Sequence, residues 1–303
     1  MIFRASYRSV NHVAGSAVRS RAAARPRVVA LLACLCVAAV PAATAATGPK
    51  DNPKIVARIA FAGDSIVDNY WEAIQRVIDA NACLKSSIAL GRFARNGTGL
   101  SRGDKLYWPR EVRRIGDTFK PDLFVLSIGL NDEQFIVDAN GARTAWGAPN
   151  WSDKYREQIV AFLNGAAASK AAVMLVGVPV VRDARENADL LEKNKMFAAA
   201  VAALGAPHMQ YVEPWRLKPT GPDAFASYGP DRNGRMVQIR TADGDHFTVA
   251  GEDVIAGYLY PKIVTAFAQM GAPLDRACAA GDTSTEKAGD KSASTSAEKK
   301  KEP

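Results

Sequence analysis

The chain has 303 residues, of which 48% are hydrophobic and 23% charged, and its formal net charge is +8. That charge is concentrated at one end: without the six arginines of the first 45 residues, 33 basic residues face 31 acidic ones. A nearly neutral remainder excludes the basic footprint of a nucleic-acid-binding protein, and no nucleic acid is expected as a partner.

Residues 1–45 read as a signal peptide or an N-terminal anchor. Arg4, Arg8, Arg19, Arg21, Arg25 and Arg27 precede or flank an apolar stretch from Val28 to Val40. Pro41 and a run of small residues follow, with Ala43-Thr44-Ala45 as the cleavage site. An organellar transit peptide fits less well, because the apolar core is too continuous. Left uncleaved, the run approaches the lower limit for spanning a bilayer, and it would be the chain's only membrane contact. The expected location is periplasmic or secreted. Residues 279–303 carry five lysines and five acids and no aromatic residue, the composition of a disordered polar tail. Residues 46–278 suffice for one domain with a sizeable core. Cys83 and Cys278 lie in that domain, either as one disulfide or as two separate thiols.

In chain order, Ile55 to Phe61 is a short β-branched, apolar run and reads as a buried strand. Val67, Trp71, Ile74, Val77 and Ile78 then recur at helical spacing, to about Ala80. A second strand is expected at Ser87 to Arg95, followed by the loop Asn96 to Asp104. Trp108 to Phe119 reads as a helix with Pro109 in its first turn, stopped by Pro121. Asp122 to Gly129 is an almost wholly apolar third strand. Glu133 to Trp151 is a long polar and aromatic segment of the kind that forms lids. Ser152 is expected to cap a helix running to about Ala168. A fourth strand (Ala171 to Val178), a helix (Asp183 to Leu204, stopped by Gly205) and a fifth strand (His208 to Val212) follow. A hairpin is expected around Asp231-Arg232-Asn233-Gly234, and a last helix from about Val249 to Met270.

Alternating strands and helices imply an α/β protein: a flavodoxin-like three-layer α/β/α sandwich, its five-stranded parallel sheet in the order 2-1-3-4-5. Ligands in such sheets bind beyond the carboxyl ends of the strands, at the switch point. Three separated segments end there. Ser65 of Gly63-Asp64-Ser65 follows strand one, the loop from Asn96 to Gly103 follows strand two, and Asn131 of Gly129-Leu130-Asn131-Asp132 follows strand three. A serine between a strand and a helix N-terminus is placed to attack a carbonyl beside unpaired N–H groups. It needs a base and an orienter for the base. Of the domain's two histidines, His208 lies in an apolar stretch and reads as structural. His246 follows Asp243 by three residues, so that the carboxylate can reach one ring nitrogen and leave the other for Ser65. Asp243, Asp245 and His246 are also metal-ligating types, but no fourth ligand cluster accompanies them; neither a metal nor a cofactor is expected.

In this order and spacing, Gly63-Asp64-Ser65, the glycine loop Asn96–Gly99, Gly129-Leu130-Asn131-Asp132 and Asp243-Gly244-Asp245-His246 resemble the four blocks of the SGNH (GDSL) hydrolase superfamily. The longer strings RNGTGLSRGDKLYWP, SIGLNDEQ and DGDHFTVAG resemble its periplasmic DUF459 branch. The resemblance runs from about Ile55 to Met270 and makes residues 46–278 an SGNH hydrolase domain. It implies Ser65 as nucleophile, His246 as base and Asp243 as orienter. It implies an oxyanion hole from the Ser65 N–H, a loop N–H and the Asn131 amide. Many members place the loop glycine where this chain has Ser101; Gly97 and Gly99 are the glycines on offer, and Gly99 is chosen. Asp64 is expected to hold the turn rather than react.

The implied activity is an exported serine esterase, acting on small-molecule or glycan esters, with O-acetylated envelope glycans and lipid acyl esters both available. An O-acyltransferase using the same site is one alternative. The other is a non-catalytic carbohydrate-binding module with Trp146, Trp151 and Trp215 as platforms. The first and last helices lie side by side in the resembling family. Cys83 and Cys278, each just past one of them, are therefore expected to be bonded, with Cα atoms within roughly 7 Å.

Overall fold

The computed structural model describes residues 55–217, 224–274 and Cys278. The expected leader at 1–45 and tail at 279–303 lie outside them.

The described chain begins with β1 (Ala57–Gly63), apolar and buried at every position but Arg58. Helix α1 (Ser65–Asp79) follows after one residue, Asp64, whose carboxylate accepts the Ile66 N–H and caps it. Its buried residues Ile66, Val67, Tyr70, Ala73, Ile74 and Ile78 recur every three or four positions. Ser65, Asp68, Asn69, Glu72 and Arg76 are left on the other face. A six-residue helix, α2 (Ala82–Ser87), comes before β2 (Ile88–Ala94); the sequence reading did not anticipate it. Its cap is Asn81, which accepts the N–H groups of Cys83 and Leu84. α3 (Trp108–Phe119) and β3 (Leu123–Ser127) follow, the strand buried throughout.

The segment expected to be a lid carries a small hairpin, β4 (Ile136–Val137) with β5 (Arg143–Thr144). Helix α4 (Trp151–Ala167) starts two residues earlier than expected. Its N-cap is Asn150, without a side-chain hydrogen bond, so Ser152 is inside the first turn rather than the cap. β6 (Ala172–Val176), α5 (Ala184–Leu204) and β7 (Met209–Val212) complete the alternation. Asp183 caps α5, and Gly205 ends it in the left-handed conformation. The expected hairpin is present as β8 (Tyr228–Pro230) and β9 (Met236–Gln238). The last helix is α6 (Val249–Gln269), capped by the Thr248 hydroxyl.

The sheet order is β2-β1-β3-β6-β7, all parallel, which is 2-1-3-4-5 for the five sheet strands. With right-handed crossovers, α1 and α6 pack together on one face, and α3, α4 and α5 side by side on the other. Register then fixes the site. Gly63 pairs with Ala94 on one side and Ser127 on the other, so three strands end at one level. The segments beginning at Asp64, Arg95 and Ile128 therefore start as neighbours at the switch point.

At the opposite end, Cys83 in α2 and Cys278 beyond α6 form a disulfide with Cα atoms 5.6 Å apart. This matches the expected pairing. Cys83 reaches it from the short helix rather than from a loop.

Candidate active site

Gly63 lets the chain turn out of β1. Its φ is +148°, and a Cβ there would lie 1.8 Å from the Ser127 carbonyl oxygen, so no other residue fits. The next residue, Asp64, is fully buried. Its Oδ1 accepts the Ile66 N–H at 2.9 Å, and its Oδ2 accepts those of Gly129 and Leu130 at 2.9 and 3.1 Å. One carboxylate thus joins the start of the nucleophile's helix to the turn after β3. Burial pushes the Asp64 carboxyl up to about 7, against the pull of its three N–H partners.

Ser65 stands in the first turn of α1. Its Oγ lies 2.6 Å from Nε2 of His246, whose Nδ1 lies 2.8 Å from Oδ2 of Asp243. The three side chains come from two ends of the chain, 181 residues apart, and form one continuous relay. Partial burial raises the Asp243 carboxyl. The Thr241 hydroxyl, the Asp245 N–H, the His246 ring and the His246 N–H outweigh it and hold the group well below the usual carboxylate range. Asp243 is therefore anionic at any pH where the protein would act.

The turn that presents His246 is held from beneath. Arg240 is buried, and its Nη2 donates to the carbonyls of Val180, Gly244 and Asp245. Its guanidinium lies 4.2 Å from the Phe247 ring centroid. Burial brings the group down to about 10, so it keeps its charge. Asn69 fastens the same turn sideways to α1. Its Oδ1 accepts the Phe247 N–H at 3.3 Å, and its Nδ2 donates to Glu252 at 2.7 Å. The second Glu252 oxygen pairs with Arg76 at 2.9 Å.

Across the nucleophile, Asp132 shapes the glycine loop. Its carboxylate accepts the N–H groups of Leu100 and Ser101, the Ser101 hydroxyl and the Tyr155 hydroxyl, at 2.6 to 2.9 Å. The Ser101 N–H is thereby engaged. Gly97 is exposed, with open space around it. The Gly99 N–H has no protein acceptor among the described residues. Asn131 donates one amide hydrogen to the Thr98 carbonyl at 2.9 Å, which turns its Nδ2 toward this loop with a second hydrogen to spare.

The other singled-out residues lie elsewhere. His208 is exposed, with φ +60°, in the turn before β7, at the end of the sheet away from Ser65. Trp151 is buried, stacked on Tyr155, with its Nε1 on the Gln134 carbonyl. Trp146 is exposed and packs edge-on against Trp151, and Trp215 packs edge-on against Phe247. Among the described residues, no three or more His, Cys, Asp and Glu side chains are grouped to hold a metal ion. No helix among them is long and apolar enough to cross a membrane.

Sequence reasoning did not find Asn69, Arg240, Glu252 or the four-bond role of Asp132. Only Asn69 carried a visible signal, being one helical turn after Ser65; the partners of the other three are set by tertiary packing.

From Ser65 a groove of about 500 Å³ runs along α1. Asp68, Asn69, Glu72 and Arg76 form one wall. Thr241, His246, Phe247, Val249 and Glu252 form the other, with Arg92 and Asn96 at the β2 side.

Residues 58–262 match the model of a family described as "Protein of unknown function (DUF459)". No curated protein matches the chain. Among solved structures, similarity extends to a carbohydrate esterase family 3 protein from Talaromyces cellulolyticus. It is 16% identical, with 69% of this chain and 97% of that one covered and a TM-score of 0.45. A GDSL-like lipase from Bacteroides thetaiotaomicron is 21% identical, with 69% and 88% covered and a TM-score of 0.42. A catalytic mutant of an acetylxylan esterase from Geobacillus stearothermophilus is 13% identical, with 74% and 98% covered and a TM-score of 0.45. Likeness of this order fixes no activity.

Proposed function

The chain belongs to the DUF459 family, and from the side chains gathered at Ser65 we propose that it is an exported serine esterase of the SGNH (GDSL) type. The observation that carries this reading is the relay from Asp243 through His246 to the Ser65 Oγ, with contacts of 2.8 and 2.6 Å.

In the proposed reaction, Ser65 Oγ attacks the ester carbonyl while His246 Nε2 takes its proton. Asp243 holds the ring by Nδ1 and stabilises the imidazolium. The negative charge on the carbonyl oxygen is received by the Ser65 N–H, the Gly99 N–H and the Asn131 Nδ2. Each such donor is worth roughly 10²–10³ in rate. Collapse of the tetrahedral intermediate breaks the C–O bond, and His246 returns the proton to the departing alcohol. The acyl-serine is released by water, with His246 again as base. The products are a carboxylic acid and an alcohol.

Labelling with a fluorophosphonate, followed by turnover of p-nitrophenyl acetate with and without an acceptor sugar, tests the reading. A stoichiometric label on Ser65 and release of acetate are expected. Acyl transfer to the sugar in preference to water would make the protein an acyltransferase. Absence of both label and turnover in folded protein would overturn the serine mechanism.

A further inference from the structure

The groove leaving Ser65 has an unusual lining. Arg92 is held by two carboxylates at once, Asp68 through two contacts of 2.7 and 3.0 Å and Glu72 at 2.8 Å. Its guanidinium also lies 4.6 Å from the Trp71 ring centroid. Arg76 is likewise shared by Glu252 and Asp253, each at 2.9 Å. Both guanidinium groups are thus already paired with the protein's own acids. The lining carries three carboxylates, Asp68, Glu72 and Glu252, against these two cations.

Such a surface rejects some ligands and accepts others. A phosphate, sulfate or uronate would meet an excess of carboxylate with no unengaged arginine to receive it, and like-charge juxtaposition is costly. A lipid alcohol needs a continuous band of apolar side chains; of those lining this groove only Phe247 and Val249 are apolar, and Phe247 is buried. Hydroxyl groups fit well. Carboxylate oxygens already fixed by arginine keep free lone pairs and pay little ordering entropy to accept further hydrogen bonds. The groove is also long, since Arg76 lies eleven helical steps beyond Ser65, a rise of roughly 16 Å.

We propose that this groove is the alcohol subsite, and that it takes a neutral, hydroxyl-rich glycan segment of more than one sugar unit, ester-linked at Ser65. The inference rests on the esterase reading for the ester but not for the binding. Two measurements separate them. In the first, the full chain carrying Ser65→Ala is titrated calorimetrically with unacetylated cello-oligosaccharides of one to four units and with oligouronates of the same lengths. Affinity is expected to rise with length in the neutral series and to stay measurably weaker at every length in the uronate series. Glu72→Lys should lower the neutral-to-uronate affinity ratio about tenfold or more, since that is the size of a 1.4 kcal/mol change in discrimination. In the second, kcat/KM of the wild type is compared over O-acetylated forms of both series and an acetylated lysophospholipid.

Equal binding of both series, no gain with length, or an E72K ratio unchanged in folded protein overturns the proposal, even if p-nitrophenyl acetate is cleaved at Ser65. A lysophospholipid ester turned over faster than any glycan ester does the same. Length-dependent glycan binding without any ester cleavage would leave the groove standing and remove the esterase.

Discussion

Gly99 lies so close to Asp132 that a Cβ on it would stand 2.0 Å from the Asp132 Oδ1. The same carboxylate engages the next two N–H groups of the loop, leaving that of Gly99 unclaimed. Gly99→Ala must therefore move either the loop or Asp132. Its kcat is expected to fall by roughly 10²–10³, the value of one oxyanion donor, with KM little changed. Gly97→Ala is expected to cost far less, having no neighbour within 4 Å but a strained φ of +71°. Steady-state kinetics on one activated ester checks both; equal losses would remove the distinction between the two glycines.

The relay makes a ranked prediction. Ser65→Ala and His246→Ala should each reduce kcat by roughly 10⁵–10⁶, because the members act as a unit. Asp243→Asn should cost about 10⁴. His208→Ala, far from the relay, should leave kcat within about twofold of wild type. Thermal melts of the same variants would show whether any loss is simply unfolding.

The disulfide closes a span of 195 residues. On the chain-entropy model it adds about 5 kcal/mol to stability. Reduction should lower the melting temperature sharply while the reduced, still folded protein keeps its esterase turnover at low temperature, since the bond is at the far end of the sheet from Ser65. Thiol counts before and after reduction, paired with melts and assays, decide this. Turnover lost in step with the bond under folded conditions would contradict it.

Asp64 links stability to pH. Its folded pKa is raised to about 7 from 3.8. Its contribution is therefore complete below about 3.8, declines as pH rises toward 7, and levels off above that. Asp64→Asn should be less stable overall, because an amide N–H must face a backbone N–H. It should also lack this part of the pH slope. Denaturant unfolding of both proteins at intervals from pH 4 to 9 measures the difference.

What could be read from the residues depended on how local the cause was. β1 and β3 announce themselves as apolar runs. α3 was placed at Trp108–Phe119 because Pro109 and Pro121 mark its ends. α2 has no such signal, because six residues hold too little periodicity to show. The start of α4 is hard to read because Ser152 has a capping side chain, whereas Asn150 caps with backbone alone. The meeting of Ser65, Asn131 and His246 was foreseeable from strand order, since loops after neighbouring parallel strands emerge at one edge. The supports were not. Nothing in the string Ile239-Arg240-Thr241 says that Arg240 is buried beneath the histidine's turn, and nothing near Glu252 says that Asn69 will meet it.

The Asn69 clasp separates where His246 stands from how the chain arrives there. Before Arg240 the chain forms the β8–β9 hairpin, yet the histidine's turn is held by a hydrogen bond to the serine's own helix and by Arg240 below. Trp215, Phe225 and Ser227 are packed on or bonded to Phe247 and Arg240, but the exposed tip of the hairpin, Arg232-Asn233-Gly234, touches neither, so it can lengthen, shorten or change sequence without detuning the chemistry. That tip is an insertion point, where new surface can be added while nucleophile and base keep their mutual placement.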